Sequence, residues 1–79
     1  GLDKLYSYMS GKQAERLHSL CKELSDTFHW NIEARNENGD DFYWVYKNDK
    51  LIHCVSSFDL AKNCDLMCEK IDKIVRSAV

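Results

Sequence analysis

Along the chain, the spacing of apolar residues changes twice, and the two changes divide it into a helix, a run of strands and a second helix. Ala14, Leu17, Leu20, Cys21, Leu24 and Phe28 recur at steps of three and four, while Lys12, Glu15, Arg16, Ser19, Lys22, Glu23 and Asp26 lie off that stripe. Ser10-Gly11-Lys12-Gln13 precedes the stripe in the S-x-x-Q form of a capping box, so the pattern predicts a helix over 11–26. Further upstream, Leu2, Leu5, Tyr6 and Met9 also fall at helical spacing, and residues 1–9 read as an extension or a short extra helix. From Phe28 the period drops to 2: Phe28, Trp30, Ile32 and Ala34 alternate with His29, Asn31, Glu33 and Arg35. That alternation predicts a first strand over 28–35.

Asn38-Gly39 then marks a tight hairpin, because a type I′ turn needs positive φ at both central positions and these two residues tolerate it. A second strand follows over 42–47. Asn48-Asp49 has the same tolerance and separates it from a third strand over 51–55. Ser56 and Ser57 can cap a last helix with Asp59 in its first turn, and the apolar stripe from Leu60 to Ala78 predicts that helix over 58–77. Glu69 and Lys73 stand at the favourable i, i+4 spacing on its polar side. The fold class is therefore α+β: one small domain in α-β-β-β-α order, a three-stranded antiparallel meander with two helices on one face.

Register assigns residues to faces. With Asn38-Gly39 and Asn48-Asp49 as two-residue turns, Ala34 faces Tyr43, Ile32 faces Val45, Val45 faces Ile52 and Tyr43 faces Cys54. One face then carries Trp30, Ile32, Ala34, Tyr43, Val45, Ile52 and Cys54, and the helices belong on it. The other carries Asn31, Glu33, Arg35, Phe42, Trp44, Tyr46, Leu51, His53 and Val55. A slip of one residue at the first turn would exchange the two sets on the second and third strands. In either case the middle strand, Phe42-Tyr43-Trp44-Val45-Tyr46, is apolar or aromatic on both sides, and a single helical layer hides only one. The surplus surface predicts a contact site made of Arg35, Phe42, Trp44, Tyr46, Leu51 and His53. A competing reading folds Leu2, Leu5, Tyr6 and Met9 over that surface instead.

Composition narrows what the site can meet. The 79 residues, 44% hydrophobic and free of proline, suit one folded domain with a small core. The net charge of −2 arises entirely between 36 and 55, where Glu37, Asp40, Asp41 and Asp49 outnumber Lys47 and Lys50. Such a chain has no broad cationic field for phosphates, which ranks a protein partner or self-association above nucleic acid. No run approaches a membrane span, and the first residues lack the order of a signal peptide, so the expected location is cytoplasmic with no membrane partner.

The four cysteines admit metal, disulfide or plain packing. Cys21, Cys64 and Cys68 lie on apolar stripes and Cys54 on the predicted core face, where a free thiol acts as a small hydrophobe, and the paired C-x-x-C knuckles of most small zinc folds are missing. His53 and Cys54 are adjacent and should project to opposite faces, which precludes a thiol-imidazole dyad on a regular strand. No nucleophile elbow, phosphate-binding glycine loop or H-E-x-x-H occurs. No catalytic, metal or cofactor site is expected.

The order helix, three strands, helix, with Ser56-Ser57-Phe58-Asp59-Leu60-Ala61-Lys62-Asn63 at the start of the second helix, resembles that of double-stranded-RNA-binding domains. The resemblance implies a nucleic-acid-binding module as the alternative function. That family grips phosphates there with a lysine cluster, whereas this chain places only Lys62 between Asp59 and Asp65. The leading expectation is a small non-enzymatic regulator or inhibitor, of a kind found in bacteria and phages, that binds a protein or a second copy of itself through the aromatic sheet face.

Overall fold

A computed structural model describes residues 9–79. The elements in order are α1 (Gly11–Ser25), β1 (Trp30–Glu37), β2 (Asp40–Lys47), β3 (Lys50–Ser56), α2 (Ser57–Lys62) and α3 (Cys64–Ser77), and the sheet order is β1-β2-β3. Both ends of the α+β pattern form for the reasons the sequence suggests. The Ser10 hydroxyl accepts from the Gln13 amide at 3.3 Å while the Gln13 side chain accepts from the Ser10 amide at 3.1 Å, which completes the capping box. Ser56 Oγ accepts from the Asp59 amide at 3.1 Å and starts α2. Asn38 and Gly39 take φ of 53° and 87°, Asn48 and Asp49 take 52° and 64°, so both hairpins close through left-handed pairs. Leu2, Leu5 and Tyr6 lie outside the described residues; Met9 packs against the core.

The helix expected over 58–77 is interrupted. Asn63 has φ −121° and ψ 47°, against a helical ψ of about −42°, and it joins α2 to α3 without a side-chain cap. Asparagine is a poor helix former whose side chain competes for backbone groups. The stripe survives the bend, since Leu60 of α2 and Cys64, Cys68, Ile71 and Val75 of α3 all enter one core. β1 also differs from expectation: it begins at Trp30, because the Phe28 amide still donates to the Leu24 carbonyl at 2.8 Å, and it runs on to the turn at Glu37.

The core joins Leu17, Leu20 and Leu24 of α1 to Tyr43, Val45 and Val55 of the sheet and to the α2–α3 stripe. Its helices are tied together at both ends. Gln13 Nε2 donates to the Ala61 carbonyl at 3.0 Å at one end, and Arg76 bridges Asp72 at 2.9 Å and Glu23 of α1 at 3.1 Å at the other. Lys47 fastens sheet to helix: its ammonium donates to the carbonyls of Val75 and Ala78, each at 2.6 Å, and lies 4.6 Å from the centre of the Phe28 ring. Val75 is in the last turn of α3 and Ala78 is its C-cap, at the end where the helix dipole is negative and carbonyls lack an intrahelical donor.

β1 and β2 pair in the expected register, Ala34 with Tyr43 and Ile32 with Val45. The second hairpin departs from it. Tyr46 pairs with Leu51, but Val45 pairs with His53, Trp44 with Cys54 and Tyr43 with Val55, so Ile52 is an extra residue in a bulge. The cause lies in the spacing of Ile52 and Val55. Strict alternation cannot turn two residues three apart to the same face, and the bulge between them does. Val55 becomes buried and Ile52 packs on the core, whereas Cys54, expected inside, is exposed.

Candidate functional site

The open sheet face is built by cross-strand pairs centred on Trp44. Glu33 lies opposite Trp44 on one side and Cys54 on the other; Arg35 pairs with Phe42, Asn31 with Tyr46, and Tyr46 with Leu51. Arg35 is laid across the indole, its guanidinium carbon 5.5 Å from the ring centre. It forms a 2.6 Å ion pair with Glu33, which itself accepts from Asn31 Nδ2 at 3.3 Å. A hydrogen bond with Tyr46, and then the charge of Glu33, hold the Arg35 pKa above its ordinary value. Arg35, Trp44, Tyr46 and Glu33 are therefore one connected group, with Phe42 beside it and Leu51, 46% exposed, at its margin.

Of the residues expected on this face, Arg35, Phe42, Trp44, Tyr46 and Leu51 are on it. His53 and Val55 are not, because the bulge rotates β3 after Leu51. His53 pairs with Val45, whose side chain is in the core, so the imidazole turns toward the helices. Burial first, and the charge of Lys70 on α3 second, lower its pKa from 6.5. The folded protein thus resists protonating His53 more than the unfolded chain does. Its contribution to stability is complete above pH 6.5 and is lost as pH falls from there through the lower folded value. A urea titration series should show the midpoint dropping between pH 7 and pH 5, and His53→Gln should flatten that slope; an unchanged slope would mean that another group carries it.

The thiols divide in the same way. Cys64 and Cys68 are buried with their sulfurs 3.9 Å apart, and burial pushes the Cys68 pKa up to about 12, far from the thiolate a nucleophile or metal ligand requires. Cys21 is half-buried and its pKa is also raised by burial. Among the described residues, no three His, Cys, Asp or Glu side chains cluster closely enough to hold a metal ion. Cys54 beside Trp44 is the residue of this face that alternation alone misplaced; the Ile52–Val55 spacing was the signal that could have found it.

A shallow depression lies away from Trp44, at the tip of the first hairpin, where Asp40 and Asp41 face Phe58 and Lys62 of α2. Phe58 is 66% exposed, with the Lys62 ammonium 5.2 Å from its ring centre. Among the described residues, no helix is long and apolar enough to cross a membrane. No family model, curated protein or solved structure matches this chain. The functional reading therefore rests on the site's own chemistry.

Proposed function

We propose that this protein is a small non-enzymatic regulator or inhibitor that works in the cytoplasm by docking another protein on its open sheet face, through Arg35, Phe42, Trp44, Tyr46 and Leu51. The observation that carries the reading is the grouping of Trp44, Tyr46 and Arg35 on a face that none of the described helices covers. These three residue types dominate binding hot spots, because each buries a large area with few rotatable bonds or offers a planar fork of donors. Arg35 already lies over the indole and is held by Glu33 and Tyr46, which reduces the side-chain freedom lost on docking. The acidic balance of the hairpins disfavours a phosphate backbone as the occupant.

The test is capture from a native lysate on immobilised wild-type protein and on Trp44→Ala, followed by affinity measurement with the partner recovered. Trp44→Ala should weaken binding by about 2 kcal/mol or more, roughly thirtyfold. Equal affinity for both proteins would remove the open face from the reading. Retention on heparin or RNA columns that falls steeply with salt would favour the nucleic-acid alternative.

A further inference from the structure

The two outer edges of the sheet are not equally protected against pairing with another strand. Natural sheets defend an edge with a bulge, a lysine or a proline. β3 carries the bulge at Ile52 and begins with Lys50. β1 has no bulge, lysine or proline, and its charges, Glu33, Arg35 and Glu37, are mixed in sign; it is eight residues of WNIEARNE, regularly paired along its whole length to β2, with no strand on its other side among the described residues. The pair that closes the two-residue turn, Glu37 with Asp40, exchanges both backbone bonds, and alternation from there turns the amides and carbonyls of Trp30, Ile32, Ala34 and Asn36 to the open edge. The Asn48 amide bonded to the His29 carbonyl at 2.9 Å fits the same phase. The side chains beside those groups are also incompletely covered, with Trp30 and Ile32 half-buried and Ala34 exposed.

We propose that β1 pairs antiparallel with β1 of a second copy about a two-fold axis at Ala34, joining two sheets into one of six strands. Charge selects that register. With the axis at Ala34, Glu33 of each copy faces Arg35 of the other, while Ala34 meets Ala34 as a pair exchanging both backbone bonds. An axis at Glu33 opposes two carboxylates, and one at Arg35 opposes two guanidinium groups. An axis at Ile32 sets Glu33 against Asn31 and Arg35 against His29. Like charges directly opposite are unfavourable and unlike charges favourable. Because the axis stands perpendicular to the sheet, both Trp44 faces emerge on one side and α1, α2 and α3 of both copies on the other. The pairing shares Glu33 and Arg35 with the open face but makes no use of Trp44, and it does not rest on the docking role of that face.

Sedimentation equilibrium of the full chain over a concentration series tests it. Wild-type protein should associate to a dimer below about 1 mM. Ala34→Pro deletes only an outward amide, so it should weaken dimerisation at least about tenfold while circular dichroism keeps the monomer's fold. Glu33→Arg should weaken the dimer by about tenfold, and the exchange Glu33→Arg with Arg35→Glu should restore it. Trp44→Ala should leave it unchanged, which separates this proposal from the partner-binding reading. A wild-type monomer throughout the series, or an exchange variant no better than Glu33→Arg alone, would overturn the proposal. Should Ala34→Pro not fold, the charge series decides by itself.

Discussion

Tyr43→Ala is expected to leave this protein largely unfolded at ambient temperature, while the same truncation one residue later, at Trp44, barely moves its stability. Tyr43 is 2% exposed and sits between Ala34 and Val55 at the centre of the sheet, facing the helices. Truncating a large buried aromatic removes its transfer free energy and leaves a cavity that neighbours fill only in part, about 3–5 kcal/mol in total. A domain of this size has a total stability near the lower end of the 5–15 kcal/mol range, roughly what one such cavity removes. Trp44 occupies the opposite face, and its truncation forfeits a solvent-screened contact with Arg35 and opens no interior void. Chemical denaturation of the two variants gives the answer directly. Comparable losses would mean that both faces of β2 are packed, and the docking surface would then be interior.

Lys47→Met should cost about 2 kcal/mol, lowering the thermal midpoint by roughly 8–16 °C in a chain of this length. The substitution keeps most of the aliphatic stem and deletes the ammonium that holds the Val75 and Ala78 carbonyls. Charge-assisted hydrogen bonds of this kind contribute more than neutral ones, and the position at the negative end of α3 adds to them. The ring of Phe28 loses its cation as well. Calorimetry on the variant measures the shift, and amide exchange should locate the loosening in the last turn of α3. A midpoint within a degree or two of wild type would reduce Lys47 to a solvated surface charge.

Much of the architecture was legible because it depends on single residues with few alternatives. Positive φ at two adjacent positions admits little besides asparagine, glycine and aspartate, so Asn38-Gly39 and Asn48-Asp49 marked both hairpins. The Ser10 and Ser56 caps were legible for the same reason. The bulge was legible only as a conflict, the three-residue spacing of Ile52 and Val55; whether Cys54 or Val55 takes the interior place depends on the volume left beneath the helices. It also decided the site, moving His53 off the aromatic face and Cys54 onto it. Charge counting treats Lys47 only as a cation, although alternation from Tyr43 and Val45 places it on the helix side. The break at Asn63 is a tertiary effect laid over a continuous apolar stripe, and periodicity does not register it.

The meander with its two-residue turns has a kinetic consequence. Every strand contact joins residues near in sequence, so the sheet can assemble through short closures that sacrifice little chain entropy. The distant closure is α1 onto the last two helices, with Gln13 reaching Ala61 of α2 and Glu23 reaching Arg76 of α3. Docking of α1 is therefore the closure of greatest chain entropy and the step expected to be slowest. In order of synthesis the sheet precedes α3, so its inner face stays incompletely covered until α3 arrives.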